Sequence, residues 1–155
     1  MEKLTNAAQV ANALQNKGAV AFAPNGNSMW PFIKNHKQTV IVERVEEPVE
    51  LYDVVLFVRK DGSLVLHRVI GLSEKMLTVC GDSLLSLERI RKDRVIGVMT
   101  GFYKGKKIVP SRQIKYLKKV KNWYKRKKLR KFKIKCFYTL QKICVKIKRL
   151  DKENV

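Results

Sequence analysis

Val54-Val55-Leu56-Phe57-Val58-Arg59-Lys60-Asp61-Gly62-Ser63-Leu64-Val65-Leu66-His67-Arg68-Val69-Ile70 is the stretch that decides the fold of this chain. Two apolar runs, Val54 to Arg59 and Leu64 to Leu72, flank Asp61-Gly62, a dipeptide suited to the left-handed backbone of a tight hairpin turn. Working outward, runs of the same texture lie at Ala19 to Ala23, Thr39 to Val45, Met76 to Cys80 and Val95 to Tyr103, punctuated by Gly, Pro, Asn and Asp. Short strands at such spacing predict a mainly β fold, either a β-sandwich or a partly closed barrel. Ahead of them, Leu4, Ala7, Ala8, Val10, Ala11 and Leu14 recur at near-helical spacing, with Thr5 or Asn6 to cap and Gly18 to stop, which predicts a short helix.

Charge divides the chain more sharply than hydropathy does. Of 34 lysines and arginines, 21 follow residue 100, together with only two of the 13 acids. The expected organisation is therefore a helix over 1–17, a β domain over 18–110 and a basic helical tail over 111–155.

The β region holds three groups that serine hydrolysis needs. A serine hydroxyl is a weak nucleophile until a neighbour takes its proton, and that neighbour needs a third group to fix its tautomer. Ser28 lies in Gly26-Asn27-Ser28-Met29-Trp30-Pro31, His67 lies on the second hairpin run, and Gly81-Asp82-Ser83 with Glu88 supplies acids. The other histidine, His36, sits in the polar stretch Lys34-Asn35-His36-Lys37 with no carboxylate beside it and is expected to be solvated.

These residues, over roughly 18 to 103, resemble the signal peptidase/LexA-like repressor autopeptidase superfamily of serine peptidases. Gly26-Asn27-Ser28-Met29-Trp30-Pro31 matches every fixed position of that superfamily's Gly-x-Ser-Met-x-Pro box. Leu66-His67-Arg68-Val69-Ile70 is similar to its base-bearing strand in the histidine form found in archaeal and endoplasmic-reticulum signal peptidases. Gly81-Asp82, followed by Glu88, is similar to its acidic box, although this chain has Ser83 where asparagine is usual and glutamate where aspartate is usual. Tyr52-Asp53 stands where Gly-Asp is usual before the central strand. The resemblance implies Ser28 as nucleophile, His67 as general base, Asp82 or Glu88 as orienting acid, and the Ser28 backbone N–H as an oxyanion donor, with Asn27 a weaker one. Gly26 would let substrate approach closely, and Met29, Trp30 and Pro31 would line a substrate groove.

The tail implies a partner. Lys118, Lys119, Lys121, Lys125, Arg126, Lys127, Lys128, Arg130 and Lys131 are interleaved with Trp123 and Tyr124. Phe132, Cys136, Leu140, Ile143, Ile147 and Leu150 then follow at three- and four-residue steps. A basic amphipathic helix of this kind suits an anionic membrane interface. Packing on the β domain and nucleic-acid binding are its alternatives.

No apolar run approaches the roughly 18 to 20 residues of a membrane span, and Met1-Glu2-Lys3-Leu4-Thr5-Asn6 has no hydrophobic signal core. Three widely spaced cysteines, Cys80, Cys136 and Cys144, fit a reducing compartment, the last two as packing residues. No His/Cys pair has metal-ligand spacing and no phosphate-binding glycine motif occurs, so no cofactor is expected. The expectation is a cytoplasmic peptidase, peripheral to the inner membrane face, acting on a dedicated precursor or leader peptide. A non-catalytic or autocleaving regulatory protein with this fold, and a basic nucleic-acid-binding protein, are the rival readings.

Overall fold

A computed structural model of the chain describes residues 7–35 and 37–153. The expected helix start at Leu4, its cap at Thr5 or Asn6, and the solvated His36 lie outside the described residues. The chain forms two compact units, Met1–Val120 and Lys121–Val155.

In the first unit, helix α1 (Ala7–Lys17) precedes strands β1 (Ala19–Phe22), β2 (Val40–Glu43), β3 (Val54–Val58), β4 (Leu64–Leu72), β5 (Met76–Cys80), β6 (Glu88–Arg91), β7 (Val95–Lys104) and β8 (Lys107–Pro110), and α2 (Ile114–Lys125) begins. The strands form one antiparallel sheet in the order β1-β2-β7-β3-β4-β5-β6, with β8 also pairing β7. The sheet is mainly β as expected and does not close, because β1 and β6 stand at opposite ends of the strand order. The expected strands all form. β6 and β8 are additions: β6 buries only Ile90, and β8 buries no residue, so neither carries an alternating apolar signal.

The deciding hairpin forms as its residues dictate. The Ser63 carbonyl accepts from Arg59 N–H at 2.9 Å, Asp61 Oδ1 accepts from Ser63 N–H at 2.9 Å, and Gly62 takes φ +80°. β3 is buried on both faces at Val54, Val55, Leu56 and Phe57, which makes it the spine of the unit. Val55 lies opposite His67. With Phe57, Val69, Leu77, Val79 and Ile90 it forms one core cluster.

α1 packs through Val10 and Leu14, both buried. Gly97 leaves room for it, since a Cβ there would lie 3.3 Å from Leu14 Cδ1 and 2.6 Å from Val42 Cγ1. The helix ends where Gly18, at φ +71°, donates its N–H to the Leu14 carbonyl and Arg44 Nη2 donates to the Gln15 carbonyl at 2.6 Å. At the other end of the unit, Tyr116 and Val120 of α2 are buried, so the compact β unit continues past residue 110.

In the second unit the chain leaves α2, breaks helix at Arg126 and continues as α3 (Lys127–Glu153). Leu129, Phe132, Leu140, Ile143 and Ile147 of α3 are all exposed and, at three- and four-residue steps through Cys136, share one stripe. Exposed Lys128, Lys135 and Lys146 border it on one side and Lys133 on the other. Arg130 lies over the Tyr124 ring at 4.6 Å, and Trp123 and Tyr124 are half-buried. No helix among the described residues is long and apolar enough to cross a membrane. All three cysteines are free thiols; Cys80 is buried, while Cys144 is exposed, against the packing role expected of it.

Candidate active site

Ser28 is placed by a tight turn that follows β1. The Asn27 carbonyl accepts from Trp30 N–H at 3.0 Å, and the Met29 carbonyl accepts from Phe32 and Ile33 N–H at 3.1 and 2.9 Å. Met29 and Ile33 are buried and anchor the turn, leaving Ser28 half-exposed. Among the described residues the Ser28 N–H has no acceptor, so the fold leaves it available as the expected oxyanion donor.

A second segment grips this turn from behind. Ser83 donates its N–H to the Ser28 carbonyl at 2.8 Å and its hydroxyl to the Asn27 carbonyl at 2.7 Å. Gly81 allows the approach, because a Cβ there would stand 2.8 Å from the Ser28 carbonyl oxygen. Ser83 thus holds the backbone of the turn that carries Ser28.

Asp82, between those two residues, takes no hydrogen bond from His67. It is fully buried and forms a bidentate pair with Arg68, Nε to Oδ1 at 2.8 Å and Nη2 to Oδ2 at 2.7 Å. Arg68 also donates to the Tyr52 carbonyl and the Tyr116 hydroxyl, each at 2.9 Å. Neighbouring side chains of a strand point to opposite faces, so the Asp82 carboxylate paired with Arg68 lies on the face away from His67. Tyr52 reaches Arg68 through a left-handed backbone, φ +77°.

His67 is 5 % exposed and stacks edge-on against Phe57. Its Nδ1 has no hydrogen-bond partner, and the nearest carboxylate oxygen, Glu88 Oε2, is 3.9 Å away. Glu88 is instead held by Arg59, Nε to Oε1 at 2.9 Å and Nη2 to Oε2 at 2.6 Å. Of the two acids expected to orient His67, Glu88 is therefore the nearer, although at 3.9 Å it makes no hydrogen bond to it. Arg59, which the sequence did not mark, occupies both Glu88 oxygens.

Ser28 and His67 line one groove of about 390 Å³ with Gly26, Asn27, Met29 and Leu84. No hydrogen bond joins Ser28 to His67, a gap that hydrolytic sites commonly close only around substrate. Trp30 and Pro31, expected to line this groove, are not among its lining residues; the turn from Asn27 to Ile33 carries them past it, and Pro31 faces a separate pocket with Phe32 and Tyr116.

Burial pushes the His67 pKa down, Glu88 pulls it part of the way up, and Arg59 adds to the lowering. Neutral imidazole is the form a general base needs, so acylation of Ser28 should be level near neutrality and fall only below a midpoint under the ordinary 6.5. A pH profile of the inactivation rate checks this; a midpoint at or above 6.5 contradicts it. Stability follows the same sign: as pH drops through 6.5 the unfolded chain takes up the proton first, so His67 costs stability on the acid side. Arg59 lowers the Glu88 pKa by hydrogen bonding, which keeps that carboxylate ionised.

The basic residues expected to meet a partner are solvent-exposed at Lys118 and Lys119 in the first unit, and at Lys121, Lys125, Arg126, Lys127, Lys128 and Lys131 in the second, with Arg130 half-buried. No family model matches the chain, and no curated protein matches it.

Proposed function

We propose that this protein is a serine peptidase of the signal peptidase/LexA-like type, cleaving a dedicated precursor or leader peptide at an anionic membrane surface. One observation carries the reading: Ser28 and His67, far apart in sequence, line one groove, with a buried carboxylate-bearing turn bracing the serine's backbone. In the proposed reaction Ser28 Oγ attacks the scissile carbonyl while His67 Nε2 takes its proton. His67 then protonates the leaving amine, the Ser28 N–H stabilises the oxyanion, and water hydrolyses the acyl-enzyme. Asp82 braces the site and does not relay charge.

The test is cleavage of a peptide mixture by the full chain, with products read by mass spectrometry. The account expects new termini from the native protein and none from Ser28→Ala; cleavage that survives in Ser28→Ala contradicts it.

The exposed α3 stripe, bordered by lysines, supports the membrane part of the reading, because apolar burial and lipid charge act together on such a face. Vesicles containing anionic lipid are expected to sediment the protein, and Leu140→Gln with Ile143→Gln to weaken binding about 10²- to 10⁴-fold, given roughly 1.5–3 kcal/mol for each of two buried aliphatic side chains. Binding to nucleic acid that these substitutions leave intact, without vesicle binding, would favour the rival reading.

A further inference from the structure

A second cavity adjoins the groove, and Arg59 lines both. It measures about 600 Å³ and is walled by Phe57, Met76 and Ile90, with Lys60, Arg89 and Arg94 at its rim. Lys60, Arg89 and Arg94 form no ion pair among the described residues, whereas Arg91 is held by Asp93 and Arg59 by Glu88. Five cations line the cavity, Arg59, Lys60, Arg89, Arg91 and Arg94, against two carboxylates, Asp61 and Glu88, so it is a net cationic space with apolar walls beside the groove.

Its one carboxylate near the base is also the one misdirected. Glu88 gives both oxygens to Arg59 while the buried His67 Nδ1, 3.9 Å away, has no partner. Both partners of the bidentate Arg59–Glu88 pair are partly solvent-exposed, 40 % and 30 %, so water screens the pair and a competing carboxylate can reach Arg59. A buried imidazole nitrogen without a partner is the costlier feature, and a carboxylate released to the Nδ1–H tautomer would gain a strong, desolvated hydrogen bond.

We infer that the substrate carries an aspartate or glutamate next to the scissile bond, and that this carboxylate enters the cationic cavity, takes Arg59, and frees Glu88 to accept the Nδ1–H of His67. The inference rests on the peptidase reading and names its substrate class. Arg59 and Glu88 are positioning residues: they act on the reaction through His67. In the resting arrangement the base is unoriented; an acidic substrate completes the triad that cleaves it. Peptides without an acid leave Arg59 on Glu88 and are cleaved slowly. Specificity and activation then share one guanidinium.

The test uses paired peptidyl phosphonates, identical except for Glu or Gln at each position flanking the phosphonate, with the full chain and intact-mass readout. The Glu probe is expected to label Ser28 at least 10-fold faster than its Gln twin at one position. Arg59→Gln should collapse that ratio and label faster than native protein with the Gln probe. Arg59→Lys keeps the charge but loses the bidentate grip and should fall between. A spectroscopic readout runs beside it: the chain has two histidines, so His67 is resolved by imidazole NMR against His36. Arg59→Gln, or the Glu probe, should move its Nδ1–H signal downfield and raise its pKa. Equal Glu and Gln rates at every position, with Ser28 labelled, overturn the acidic-substrate inference and leave the peptidase reading standing. Absence of labelling by every probe overturns both. An unchanged His67 signal in Arg59→Gln overturns the exchange of Glu88 between partners.

Discussion

Arg68→Ala is expected to destabilise the protein by about 3–5 kcal/mol, because it leaves the Asp82 carboxylate buried without its counter-ion. Neither side chain has measurable exposure, and all three guanidinium nitrogens donate: to Asp82 twice, to the Tyr52 carbonyl and to the Tyr116 hydroxyl. Phe32 and Tyr116 also face its cation, at 5.4 and 5.6 Å. The pair fastens β4 to the Gly81–Ser83 turn, which holds the Asn27 and Ser28 carbonyls. Whatever fraction of Arg68→Ala stays folded should therefore also acylate slowly. Replacing both partners, Arg68→Met with Asp82→Leu, removes the stranded charge and should recover much of the loss. Urea midpoints of the three proteins decide it; a single variant costing under about 1 kcal/mol would show that the pair is dispensable.

His67→Gln is expected to slow acylation of Ser28 by about 10²–10⁴-fold, the span of general-base contributions. Glutamine approximates the volume beside Phe57 without supplying a base, so circular dichroism and the urea midpoint should move little while the rate collapses. Glu88→Gln acts only through the imidazole and should cost less. A His67→Gln protein that acylates at the native rate would remove the base from the account.

Much of this was legible in the residues. β-branched runs around Asp61-Gly62 dictate the hairpin, and the alternation within Leu64–Leu72 puts His67 with the core cluster on one face and Arg68 on the other. An arginine inside an apolar strand is itself a signal, since a buried cation demands a partner, and Asp82 is that partner. What local pattern does not show is competition between distant groups. Nothing in Arg59's surroundings announces that it takes Glu88 from His67, because that contact joins the end of β3 to a strand with one buried residue. Trp30 and Pro31 left the groove for a similar reason: the backbone bonds from Asn27 to Ile33 curl the turn, and a motif written as a line does not contain that curl.

The central claim is that Ser28 is an activated nucleophile. Intact-mass analysis after exposure to a serine-directed phosphonate tests it most directly, with a known serine hydrolase as positive control. The account predicts one added probe mass on the native protein and none on Ser28→Ala. An unlabelled native protein beside a labelled control, or a label that persists in Ser28→Ala, would contradict it.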